Sequence, residues 1–230
     1  MNLLAIDAST EACSVALNFE GKQFTQFDLC PQSHSLLLLP MIDEVLKQAN
    51  VTLAQLDGLV FGRGPGSFTG VRIGIGVAQG LAFSSALPVY GVSTLQAMAQ
   101  QAFEEHGQSD VLSGIDARMS EIYLAHFNPD DAGLMQSIKD EIVIKPALAQ
   151  EHLAVSQPIY CVGTAWQAYQ EELAPMQQNA GQPDVLFPHA KYMLKIGEQA
   201  FIDGKSVSAE HAQPVYVRDT VSWKKLPGRE

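Results

Sequence analysis

Apolar and polar positions in the first thirty residues predict three consecutive strands. Residues 3–6 form an apolar run that stops at Asp7-Ala8-Ser9-Thr10, a polar turn-forming cluster. Residues 13–19 predict a second strand, Glu20-Gly21-Lys22 a hairpin turn, and residues 23–29 a third strand, so the sheet should open as an antiparallel meander. The period then changes. Residues 35–50 predict a helix in which Leu36, Leu37, Leu38, Leu39, Met41, Ile42, Val45 and Leu46 occupy more than one stripe, so both of its sides should be covered. Pro40 falls near its first turn, where a missing N–H costs least. Residues 56–61 predict a strand, 68–83 a glycine-rich helix, and 89–92 a short strand; Ser93 or Thr94 caps a helix running to about residue 105.

The order then starts again. Residues 111–115 predict a strand, Asp116-Ala117-Arg118-Met119-Ser120 a turn, 121–127 a strand and 135–144 a third. Residues 158–162 lead through Gly163-Thr164 into a helix, and 190–203 form a last amphipathic helix. Leu4-Ala5-Ile6-Asp7-Ala8 and Ser113-Gly114-Ile115-Asp116-Ala117 open the two halves alike, which marks a structural repeat of long period with a leaner second copy.

Composition narrows the function. The chain of 230 residues is 47% hydrophobic and 17% charged, which supports a sizeable core and suits a surface partly covered by a partner. Its formal charge of -11, with 14 basic residues, lacks the cationic footprint of a protein that grips nucleic acid unaided, and does not favour an anionic membrane surface. The short basic cluster Lys224, Lys225 and Arg229 lies in the tail. Cys13, Cys30 and Cys161 form no CxxC pair, so reduced cytoplasmic thiols are expected rather than a disulfide framework or a zinc site. The N-terminal apolar run is too short for a signal peptide, and no run approaches a bilayer span.

The most distinctive segment runs from Gly62 to Gly76, following a strand and opening a helix, a context in which phosphate can bind at a helix N-terminus. Two phosphate templates fail on it. A P-loop needs Lys after its last glycine, where Val71 stands, and the dinucleotide fingerprint needs glycine where Thr69 stands. Read structurally, Gly64-Pro65-Gly66 shape a turn and Ser67 caps the helix. Gly70/Gly74 and Gly76/Gly80 are then i,i+4 pairs that smooth two patches of it. Each interior glycine costs about 1 kcal/mol relative to alanine, so the spacing needs a reason. A close helix–helix approach supplies one, at an interface with another chain in preference to an internal contact.

Asp7, Ser9 and Thr10 stand where a phosphate-gripping turn would lie. In the second half Arg118 and Met119 follow Asp116 and fill the equivalent turn, so ATP hydrolysis by this chain alone is not expected. His34 opens a helix, but Leu38 occupies the i+4 position that a two-histidine metal chelate needs. The other histidines are scattered, and Trp166 and Trp223 read as packing residues.

These residues resemble the bacterial TsaB (YeaZ) family. The resemblance is carried by residues 4–17, by His34-Ser35 with Leu38-Leu39-Pro40-Met41-Ile42, and by the Gly64–Gly74 run. Asp116-Ala117-Arg118 with Glu121-Ile122-Tyr123, and Pro214-Val215-Tyr216-Val217-Arg218, extend it over nearly the whole chain. It implies a two-lobed α/β fold of the actin/Hsp70/sugar-kinase type (ASKHA, ribonuclease H-like) with a reduced second lobe. The first lobe would take residues 1–101 plus 188–230, and the second residues 102–187. It also implies a non-catalytic subunit of the machinery that forms threonylcarbamoyladenosine (t6A) beside the anticodon of tRNAs. The subunit would pair with a TsaD-like catalytic subunit and a TsaE-like ATPase, or with a second copy of itself when alone. ATP and metal would sit on those partners, and tRNA would be met only through the complex. The catalytic relative's His-x-x-x-His metal pair is interrupted here by Leu38. The expected partner surface comprises Leu36, Leu39, Ile42, Gly70, Val71, Ile73, Gly74 and Val77. Asp7, Ser9, Thr10, Asp116 and Arg118 mark degenerate nucleotide turns, with no catalytic or metal-binding residue. The alternatives are an ATP-binding kinase or ATPase of the same superfold, and a peptidase-related protein.

Overall fold

The computed structural model describes residues 1–154, 157–179 and 183–218. The chain opens with β1 (Leu3–Asp7), β2 (Ala12–Phe19) and β3 (Lys22–Leu29), the meander the alternation predicts. Glu20 and Gly21, both at positive φ, make the turn between β2 and β3. The helix α1 (His34–Ala49) follows and ends at Asn50 in the left-handed region. Next come β4 (Gly58–Gly62), α2 (Phe68–Ser84), β5 (Val89–Val92) and α3 (Thr94–His106). The strands assemble in the order β3-β2-β1-β4-β5, with β1 antiparallel to β2 and parallel to β4.

The second half repeats the plan with β6 (Val111–Asp116), β7 (Ile122–Pro129), β8 (Met135–Ser137) and β9 (Ile142–Ile144). The short helix α4 (Ala149–Leu153) leads to β10 (Tyr160–Val162). Then come α5 (Ala165–Ala168), α6 (Gln170–Leu173) and the long α7 (Ala190–Ile202). The order is β10-β6-β7-β8, with β10 parallel to β6 as β4 is to β1. Where the first half inserts α1 between its third and fourth strands, the second has only α4, so the reduced second copy is observed.

The single strand expected over 135–144 is broken. β8 pairs with the end of β7 and β9 with its start, and the segment between leaves the sheet, which lets Glu141 reach toward Arg63 across the lobes.

Alternation along β1 shows how the layers stack. Leu4 and Ile6 point into a core shared with Leu38, Ile42 and Val45 of α1 and Val71, Ile75 and Ala78 of α2. Leu3 and Ala5 point to the other face, against Met193 and Ile196 of α7. In the second lobe, α3 supplies Leu95, Met98 and Ala102 to the core under Val111, Ala125 and Phe127. Its Ala97 belongs instead to the α7 core. Thus α3 and α7 lie side by side between the sheets, and residue 102 falls inside a helix shared by both lobes. Trp166 is a packing residue as expected, buried with its indole N–H donating to Val162 O at 2.8 Å. Trp223 and the Lys224, Lys225 and Arg229 cluster lie outside the described residues. Among the described residues no helix is long and apolar enough to cross a membrane.

Candidate functional site: two acidic turns and an uncovered helix pair

The turn after β1 is built around a buried carboxyl. Asp7 Oδ1 accepts from Ser9 N–H at 3.0 Å and Ser9 Oγ–H at 2.9 Å, and Thr94 Oγ1–H donates to Ser9 Oγ at 2.9 Å. Burial pushes the Asp7 carboxyl up to about 7, against the lowering effect of the Ser9 amide and hydroxyl. The glycine-rich segment closes over this turn. Ser67 N–H donates to Ser9 O at 2.7 Å, a Cβ on Gly66 would meet Ser9 O at 2.1 Å, and one on Gly70 would meet Ala8 O at 2.2 Å. The chain's own glycine-rich loop thus packs directly on the backbone of the first turn. Thr10 turns its carbonyl to His34, whose Nε2–H donates to it at 2.6 Å.

In the second turn the side chain of Arg118 is 76% exposed and Met119 is 60% exposed. Arg118, Met119 and Ser120 all sit at positive φ, and Arg118 N–H donates to Asp116 Oδ1 at 2.9 Å. Asp116 also accepts from Tyr169 O–H at 3.0 Å, and Arg118 reaches back to Glu11 of the first lobe at 3.4 Å. Sequence reading missed the residue that clamps this turn. Arg218 donates to Glu121 Oε2 at 2.6 Å and to Ala117 O at 3.2 Å, while Val215 N–H in the same segment donates to Arg63 O at 2.9 Å. The segment thus ties both lobes together. Beside it a cleft of about 450 Å³ is lined by Arg63, Lys139, Glu141, Val215 and Tyr216. Burial pushes the Glu141 carboxyl up, with Ser93 and Arg63 opposing.

The expected partner surface separates into inward and outward parts. Ile42, Gly70, Val71 and Gly74 are buried in their own lobe, Ile42 and Val71 in its hydrophobic core, and at Gly70 α2 approaches Ala8 of the β1 turn so closely that only glycine fits. Those four residues serve internal packing, a correction to the interface reading of the Gly70/Gly74 pair. Leu36 is 72% exposed and Leu39 49%, with Ile73 and Val77 half-buried, so α1 is covered on one side only, contrary to the expectation for both. Phe68 and, at 78% exposure, Phe83 join them on α2, while Gly76 and Gly80 face open space. Arg72 lies 3.5 Å over the Phe68 ring and donates to Tyr216 Oη at 2.9 Å, which covers part of that aromatic.

The structure also brings together Cys13, Cys30 and His34, all buried, with potential ligand atoms within 4.8 Å of one another. Spacing alone did not show this, because the pairing of β2 with β3 sets the two cysteines side by side. Of the other histidines, His189 caps α7 by accepting Lys191 N–H at Nδ1 (3.1 Å) and stacks on Phe27.

Two sheets opened by matching acidic turns, with a shared helix pair between them, define a two-lobed ASKHA-type α/β protein. Residues 28–209 match the family model described as TsaD, tRNA N6-adenosine threonylcarbamoyltransferase. The chain is 47% identical to the tRNA threonylcarbamoyladenosine biosynthesis protein TsaB of Escherichia coli K12, over the whole of both chains. It is 44% identical to the protein of the same name from Haemophilus influenzae, covering all of this chain and 99% of that one. The solved structure of YeaZ from Pseudomonas aeruginosa superposes with a TM-score of 0.82 at 40% identity, covering 94% of this chain and all of that one. The chain belongs to the TsaB family.

Proposed function

We propose that this chain is a non-catalytic cytoplasmic partner subunit in t6A formation, docking a TsaD-like catalytic subunit through the outer faces of α1 and α2. The observation that carries it is the exposed apolar surface on these adjoining helices, Leu36, Leu39 and Phe83, beside glycines that leave α2 bare. Apolar side chains left exposed on two adjoining helices suit a contact surface. The closure of the glycine-rich segment over the first turn, where Ser67 N–H donates to Ser9 O at 2.7 Å, supports the non-catalytic part of the reading. Without its partner the chain would use the same helices to pair with a second copy, and a TsaE-like ATPase and tRNA would be met in the assembled complex, with ATP and the reaction's metal held on the partners.

The test pairs the Leu36→Asp/Leu39→Asp double variant with the TsaD-like subunit. The variant should keep the parent's thermal midpoint, since both side chains are largely outside the core, yet fail to co-elute with TsaD and fail to support t6A formation in a reconstituted system. Undiminished heterodimer would sink the docking surface. Formation of t6A by this chain alone, or micromolar ATP–Mg²⁺ binding to it, would sink the non-catalytic reading.

A further inference from the structure

Cys13 is the second residue of β2, Cys30 follows the last residue of β3, and His34 is the first residue of α1. Hairpin register makes the cysteines neighbours: Cys13 lies opposite Asp28, and Cys30, two residues further on, falls on the same face. The turn joining Cys30 to His34 is tight. Ser33 N–H donates to Cys30 O at 2.9 Å and Gln32 takes a positive φ, which folds the start of α1 back over the sulfurs. Both sulfurs and the imidazole are shielded from solvent.

We propose that Cys13, Cys30 and His34 form a site for one thiophilic metal cation, of which Zn²⁺ is the class member. Three features carry this. The donor set is two sulfurs and one imidazole, which suits zinc and excludes magnesium or calcium, whose sites are built of oxygens. The geometry is close: ligands at about 2.3 Å (S) and 2.0 Å (N) from a tetrahedral ion sit about 3.5–3.8 Å apart, so atoms already within 4.8 Å need only small rotamer adjustments. The ring's Nε2–H is committed to Thr10 O, which leaves Nδ1 as the nitrogen with a free lone pair.

On binding, Zn²⁺ displaces the Cys13 and Cys30 thiol protons and forms two Zn–S bonds and one Zn–N bond. The site would pin the β2–β3 end to the first turn of α1, two residues before Leu36.

The test uses the full chain, reduced and stripped with a chelator, then titrated with Co²⁺ as the spectroscopic probe and Zn²⁺ as competitor. One equivalent of Co²⁺ should bind with strong thiolate-to-cobalt charge-transfer absorption, and Zn²⁺ should displace it. Cys30→Ser and His34→Gln should each weaken binding roughly tenfold or more, while Cys161→Ser, in the other lobe, should not. Should those variants fold poorly, the unmutated chain still decides: Zn²⁺ must slow alkylation of Cys13 and Cys30 after brief loosening by mild denaturant, and leave Cys161 unaffected. Absence of charge-transfer absorption, loss of it in Cys161→Ser, or no protection of the two thiols would overturn the proposal. A reduced chain that takes up no metal and merely forms a Cys13–Cys30 disulfide on oxidation would overturn it equally.

Discussion

Asp7 shows how a carboxylate placed like a functional group can be engaged by its own turn. Its place after β1 is where a nucleotide-binding relative would present a carboxylate, yet here its oxygens are taken by Ser9 and a Cβ on Gly62 would lie 1.8 Å from Oδ2. The folded-state value of about 7 lies above the ordinary 3.8. A raised carboxyl favours the folded state fully below the ordinary value, and that contribution is lost as pH climbs through the folded one. The rise corresponds to about 4 kcal/mol lost between roughly pH 4 and pH 7. Asp7→Asn keeps an acceptor for Ser9 and removes the titration. The variant's thermal midpoint should therefore depend less on pH across that window, and at pH 8 the variant should match or exceed the parent. A parent and variant with parallel pH profiles would show that Asp7 stays ionised in the folded chain.

At the scale of elements, α2 separates what its sequence displays from what it conceals. Ser67 is legible as a cap because capping is local, and its Oγ does accept Gly70 N–H at 3.3 Å; Ser93 likewise caps α3. The glycines are legible as an anomaly but not as a cause, since the atom that forbids a side chain at 70 is Ala8 O, about sixty residues away in the chain. Gly70→Ala should thus destabilise by roughly 2 kcal/mol or more through backbone displacement. Gly76→Ala meets nothing within 4 Å and should stabilise by up to about 1 kcal/mol through helix propensity. Chemical denaturation of both variants checks the pair, and equal effects would show that the two glycine faces are not distinct. The same contrast explains the other misses. The break between β8 and β9 accompanies the approach of Glu141 to Arg63 of the other lobe, and the Cys13–Cys30 contact follows strand register; neither is written in local spacing. The meander, the repeated acidic turns and the terminal amphipathic helix were legible because alternation, turn chemistry and helical period are local properties.

At the scale of the whole molecule, two arginines connect the lobes at the second turn, and burial decides which one matters. Arg118 reaches Glu11 and Asp116 with its side chain 76% exposed, so screening leaves those pairs worth little. Arg218 is only 15% exposed, its guanidinium donates to Glu121 and to Ala117 O, and it arrives on a segment whose Val215 is bonded to the first lobe. Removing it leaves Glu121 short of its cation and a carbonyl short of a donor, a loss of about 1–3 kcal/mol. Arg218→Ala should therefore lower the thermal midpoint measurably, and amides 117–121 should exchange roughly tenfold faster or more, while Arg118→Ala should stay within about 0.5 kcal/mol of the parent. Hydrogen exchange read by mass spectrometry resolves that segment. If the two variants prove equally costly, the lobes are held by surface charge rather than by the C-terminal segment. If exchange rises instead in α1 and α2, the docking helices depend on the clamp, and partner binding would sense the closure of the second lobe.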